Sequence, residues 1–65
     1  MNLPETIKNA RLHRGLTQMQ LARLMNVGQS RVSEWENGTH TPTPETIQRM
    51  EEMLNVSFVV SFVEL

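Results

Sequence analysis

The sequence predicts a mainly α fold, with four short helices over residues 1–55 and a single β-strand over 56–65. Three observations carry this. Stop and start signals for helices recur along the chain: Gly15, Asn26 and Gly38 where helices should end, and Thr17, Gly28 and Thr43 where they should begin. Between those signals, apolar residues return at three- and four-residue spacing, the period of one helix face. The last ten residues, VSFVVSFVEL, alternate instead with a period near two.

Pro4 suits the first position of the first helix, where a missing N–H costs nothing, and Leu3, Ile7 and Ala10 space out a stripe that ends before Gly15. Arg11 falls beside that stripe, so its aliphatic stem should pack on the core with its head in water. His13 and Arg14 close the helix on its exposed side, where cations suit the C-terminal end of the dipole and should face solvent. Thr17 is a good N-cap, and Gln20 completes a T-x-x-Q capping box, so a second helix should run from 18 to 25. Asn26 tolerates the left-handed conformation that ends it. Gly28 then starts a third helix over 29–37, with Gly38 just past its end. Two caps so close make a tight corner. Leu21, Ala22 and Met25 on one helix and Val32 and Trp35 on the next should join through an apolar seam that includes Val27.

Thr43 caps and Pro44 opens a fourth helix, whose Ile47, Met50 and Leu54 should face inward. Gln48, Arg49, Glu51 and Glu52 should stay in water, with Met53 at the edge. Methionines at helical spacing are ordinary core filler, and no cofactor is expected. In the terminal strand, Val56, Phe58, Val60 and Phe62 would face one way and Ser57, Val59, Ser61 and Val63 the other. A fifth helix is disfavoured there by β-branched crowding. A lone strand has no ladder partner inside a helical domain, and its backbone groups must pair somewhere. Antiparallel pairing with the same strand of a second copy answers this. It makes Phe58, Val59, Val60, Ser61 and Phe62 the expected dimer interface.

Composition narrows the function. Sixty-five residues make one domain that leaves roughly 40 per cent of its extended-chain surface exposed, so oligomerisation is the available stabilising device in a chain without cysteine. With no cysteine, no aspartate and two histidines outside any metal-ligand or nucleophile–base spacing, an enzyme is not expected, nor is a bound metal. There is no Gly-rich phosphate loop, no apolar run of membrane-spanning length and no basic start before an apolar stretch, so a soluble cytoplasmic protein is expected. The formal net charge is −1, but it is unevenly placed: five cationic residues face three glutamates up to Gly38, against one arginine and four glutamates beyond it. So weak a field predicts modest non-specific affinity for nucleic acid, and useful DNA binding would need the doubled contacts of a dimer. The outer face of the third helix carries Gln29, Ser30, Ser33, Glu34 and Asn37. A merely solvated face is more often rich in Lys and Glu, whereas Gln, Ser and Asn suit hydrogen bonding to base edges.

The stretch GLTQMQLARLMNVGQSRVSEWENG from Gly15 to Gly38, with its surroundings from Ile7 to Val56, resembles the helix-turn-helix of lambdoid phage repressor and Cro proteins, the Xre/Cro type. The most specific parts are TQ at Thr17 and Gln18, LA at Leu21 and Ala22, GQS from Gly28 to Ser30, and ENG from Glu36 to Gly38. The resemblance implies a lambda-repressor-like DNA-binding domain whose third helix lies in the major groove. Base contacts are then expected from Gln29, Ser30, Ser33 and Glu34. Gln29 has the amide to read adenine N6 and N7 together, and Glu34, where relatives often carry Gln or Asn, either accepts from cytosine N4 or turns away.

Phosphate contacts are expected from Thr17, Gln18, Arg31, Asn37, His40 and Thr41. The N–H of Gln18 sits at a helix N-terminus, and in the family the matching Gln bridges a phosphate and the residue matching Gln29. Arg31, as an exposed arginine, is equally suited to solvent. The connection from Thr39 to Pro44 serves either as a rigid linker or as a phosphate holder. Many relatives have Lys or Arg in it; His40 stands in their place and would make binding sensitive to pH. Arg11 matches a family arginine that pairs with a glutamate, here Glu36, as a structural contact. Some Cro proteins and some helix-turn-helix antitoxins end in a strand like the one predicted here. The implied function is a sequence-specific transcriptional repressor, a homodimer on a palindromic double-stranded operator with half-sites about one helical turn apart. The other implied function is an antitoxin that neutralises a partner toxin and regulates its own operon.

Overall fold

The computed structural model describes residues 2–58, which form four helices: α1 (Leu3–His13), α2 (Gln18–Met25), α3 (Gln29–Asn37) and α4 (Pro44–Leu54). Each start has a local cause. The Asn2 side chain accepts from the Glu5 N–H at 3.0 Å, so α1 begins one residue earlier than Pro4 alone suggests, and Pro4 takes its second position. Thr17 and Gln20 form the reciprocal capping box, with Gln20 N–H to Thr17 Oγ1 at 3.1 Å and Thr17 N–H to Gln20 Oε1 at 2.8 Å. Thr43 accepts from the Thr46 N–H at 3.2 Å to start α4. Gly28 starts α3 with no side-chain cap.

The ends follow one pattern. After α1, α2 and α4 a left-handed residue, Gly15, Asn26 or Asn55, turns the chain. The next N–H then reaches back six residues inclusive: Leu16 to the Arg11 carbonyl at 3.1 Å, Val27 to Ala22 at 2.9 Å and Val56 to Glu51 at 3.1 Å. In each case the residue that closes the bond is apolar, and Leu16, Val27 and Val56 all pack against the core. Helix α3 closes differently, with Gly38 at φ 86° donating to the Glu34 carbonyl at 3.0 Å and the His40 N–H reaching the same carbonyl at 3.3 Å.

Helix α2 packs on α3 and α4, and α1 packs on α3. The core they enclose holds Ile7, Ala10, Leu21, Ala22, Met25, Val32, Trp35, Met50 and Leu54, joined by Phe58. Ile47 is half-buried at its edge, and Met53 is exposed.

Four sequence expectations need correction. No strand occurs among the described residues. Val56 and Ser57 follow α4 without helix, and the chain bends at Phe58, which is only 3% exposed within its own domain. Phe58 therefore fills the core of its own chain and is not the interface side chain expected. Its N–H needs no ladder partner, because Glu51 Oε2 accepts it at 2.7 Å. For the same reason Glu51 is half-buried and not a wet surface residue. The rest of the expected interface, Val59, Val60, Ser61 and Phe62, lies outside the described residues. Arg14 is exposed, as expected, but it is not without partners: its Nε donates to the Leu54 carbonyl at 2.6 Å and its Nη2 to the Asn55 carbonyl at 2.9 Å. A guanidinium so placed meets the free carbonyls at the negative end of α4, tying the end of α1 to the end of α4.

Candidate nucleic-acid interface

Helices α2 and α3 meet at the corner Asn26–Gly28, and the outward side of α3 carries the candidate reading residues. Gln29 and Ser30 are exposed in its first turn, Ser33 and Glu34 are half-buried, and Asn37 is exposed at its end. Val32 and Trp35, on the inward side, fix the roll of the helix by burial, so the polar side faces out as a consequence of core packing.

Beneath that surface lies a hydrogen-bonded cluster centred on Glu36. Arg11 donates Nε to Glu36 Oε2 at 2.6 Å and Nη2 to Oε1 at 3.0 Å, while its Nη1 donates to the Leu16 carbonyl at 2.7 Å. The arginine is 7% exposed, and every contact it makes is to an acceptor. The hydrogen bond to Glu36 raises its pKa above the ordinary arginine value, against the opposing effect of burial. Glu36 also accepts from Gln18 Nε2 at 3.1 Å. A carboxylate only accepts, so this bond sets the orientation of the Gln18 amide, with its nitrogen turned toward Glu36. The Gln18 carbonyl oxygen and its second N–H stay available, and its backbone N–H, at the first position of α2, has no partner among the described residues. Spacing alone does not reveal this link, because 18 residues separate Gln18 from Glu36.

The remaining candidate residues form a second group around the end of α3. Arg31 Nη1 lies 2.6 Å from His40 Nε2, a contact that needs a neutral imidazole with that nitrogen unprotonated. Arg31 Nε lies 3.8 Å from Glu34 Oε1, an exposed pair of little energetic weight that holds the Glu34 carboxylate beside a cation. Asn37 Oδ1 accepts from both the N–H and the hydroxyl of Thr39, which organises the turn after α3 and leaves the Asn37 amide nitrogen as a donor. Thr17 spends its oxygen on the cap of α2, and Thr41 is exposed. The structure thus brings Arg31 to His40 and Gln18 to Glu36. Gln29 and Ser30 stay clear of side-chain hydrogen bonds among the described residues. No helix among those residues is long and apolar enough to cross a membrane, and no group of three His, Cys, Asp or Glu gathers there as a metal site would require.

A capped four-helix array in which α2 and α3 meet at one left-handed residue, with the polar side of α3 turned outward, defines a helix-turn-helix domain. The helix-turn-helix family matches residues 7–60, and the chain belongs to that family, in its Xre/Cro branch. Among relatives, the chain is 34% identical over 55 residues to antitoxin PezA of Streptococcus pneumoniae, covering 85% of this chain and 35% of that protein. It is 32% identical over 57 residues to the HTH-type transcriptional regulator ImmR of Bacillus subtilis, covering 88% and 45%. The chain therefore spans less than half the length of these relatives. Among solved structures, the restriction-modification controller protein C.Esp1396I superposes with a TM-score of 0.78 at 32% identity, covering 92% of this chain and 78% of that one. A variant of the controller bound to its highest-affinity operator site superposes with a TM-score of 0.75, covering 92% and 79%.

Proposed function

We propose that this protein is a DNA-binding regulator of transcription that acts as a homodimer on a palindromic operator, repressing by occupying a promoter and without catalysis. The observation that carries this reading is the first turn of α3, where Gln29 and Ser30 stand exposed on a helix whose roll is fixed by buried Val32 and Trp35. In the major groove, the Gln29 amide would read an adenine and Ser30 either kind of partner, with Ser33 and Glu34 further along the same side. Thr17, Gln18, Arg31, Asn37, His40 and Thr41 would bind phosphates and set the register. Support also comes from ImmR, named a transcriptional regulator, and from the controller protein seen on its operator site.

Selection of binding sites from random duplex DNA at fixed salt tests the reading. An operator with two inverted half-sites is expected, and Gln29→Ala should relax preference at one base pair of each half-site by about 1–3 kcal/mol. Equal affinity for the selected and scrambled duplexes would remove the proposal. A second reading is favoured by the similarity to antitoxin PezA: the chain, or the longer protein it resembles, also neutralises a toxin. Co-purification with a neighbouring gene's product that is toxic when expressed alone would support that role.

A further inference from the structure

We propose, resting on the reading of α3 as the groove helix, that Arg31 makes Glu34 a reader of cytosine by supplying the counter-charge a carboxylate needs there. By helical spacing Glu34 shares the outward side of α3 with Ser30 and Ser33, and Arg31 stands on the flank between Glu34 and Trp35. A carboxylate alone is out of place in the groove, because the phosphates on either side repel it. One that arrives with a cation is not. Arg31 Nε lies 3.8 Å from Glu34 Oε1, with the two side chains 44% and 47% exposed. In water such a pair carries little weight, but DNA laid over it would exclude the water that screens it, and the attraction would then grow.

Two further contacts fix where the cation stands. Arg31 Nη1 meets His40 Nε2 at 2.6 Å, so a neutral imidazole holds the guanidinium at a second nitrogen. The His40 N–H in turn donates to the Glu34 carbonyl at 3.3 Å, which ties that ring to the same turn of helix as the carboxylate. Arg31 Nη2 has no protein partner among the described residues and is left for a phosphate, so one side chain serves both neighbours. The base follows from the chemistry of the carboxylate, which only accepts. Two bases offer it an amine in the major groove. Adenine N6 has the acceptor N7 beside it, which repels a second carboxylate oxygen, whereas cytosine N4 has no acceptor next to it on its own base.

Selection from random duplex DNA at fixed salt, run on the parent, Arg31→Met, Glu34→Gln and the double variant, tests this. Both side chains are about half exposed, so the variants keep the fold. The parent should prefer cytosine at one position of each half-site by about tenfold, and Glu34→Gln should turn that position to adenine. Arg31→Met should cut the cytosine preference to roughly threefold or less and leave the Gln29 position unchanged. In the Glu34→Gln background, Arg31→Met should not alter base preference at all. The proposal is overturned if Glu34→Gln leaves every position unchanged, since the carboxylate would then stand outside the groove. It is overturned if Arg31→Met weakens all sequences alike, since the arginine would then touch phosphate alone. It is overturned, too, if Arg31→Met lowers preference in the Glu34→Gln background, since the arginine would then read guanine itself. In these three outcomes the Gln29 position is still read, so the reading of α3 survives; a parent with no preferred base at any position removes both.

Discussion

Glu36 is where the residues of the candidate interface are tied to the residues of the core. It takes a two-pronged contact from Arg11 and a third donor from Gln18. Removing one member of a buried pair strands the other, so Arg11→Met should cost about 3 kcal/mol of stability. A urea titration followed by Trp35 fluorescence reads this directly, and an unchanged midpoint with lost DNA affinity would reverse the assignment. The pair should add no pH dependence through its arginine near neutrality. The Arg11 pKa is raised in the folded protein by its hydrogen bond to Glu36, so its contribution is complete below the ordinary arginine value and fades only as pH climbs through the raised one. Of these contacts, Arg11–Glu36 was legible only through family resemblance, and Gln18–Glu36 and Arg14–Leu54 were not legible at all. Partners 18 to 40 residues apart leave no periodic trace, and the cationic end of a helix looks the same in sequence whether it faces water or another helix's carbonyls.

At the scale of the element, the helices were readable because their ends are encoded within a few residues of themselves. Thr17 with Gln20, Thr43 with Pro44, and Asn26 and Gly38 in left-handed geometry each act on an adjacent turn. Asn2 went unread because Pro4 is itself a start signal, which masks a cap two residues earlier. Thr17→Ala should remove the side-chain acceptor of the Gln20 N–H and cost about 1 kcal/mol, seen as a lower denaturation midpoint at constant slope. Asn55 holds φ 52°, where a side chain is strained and glycine is not, so Asn55→Gly should be neutral or stabilising by a few tenths of a kcal/mol. A clear loss of stability there would mean that the asparagine side chain holds something besides the turn.

Over the whole molecule, the residue that most changes the picture is Phe58. Alternation of apolar and polar residues from Val56 predicts that one side of the segment is buried, but it does not say whether the covering surface belongs to the same chain or to another. At Phe58 it is the same chain, with Glu51 supplying the acceptor that a neighbouring strand would have supplied. Phe58→Ala should therefore cost about 3–5 kcal/mol, a large share of the stability of so small a domain. The loss should be independent of protein concentration; a loss that vanishes as concentration rises would place the ring in a subunit contact instead. The way α1 and α2 end has another consequence. Leu16 and Val27 each lock the helix behind them, and the very next residue, Thr17 or Gly28, launches the helix ahead. Neither joint has slack, so one inserted residue at either place separates a lock from a launch point and disorders the corner. After Gly38, Thr39 bonds back to Asn37 and the His40 N–H to the Glu34 carbonyl at 3.3 Å, which closes α3 without launching α4, so length variation is to be sought beyond them, at Thr41.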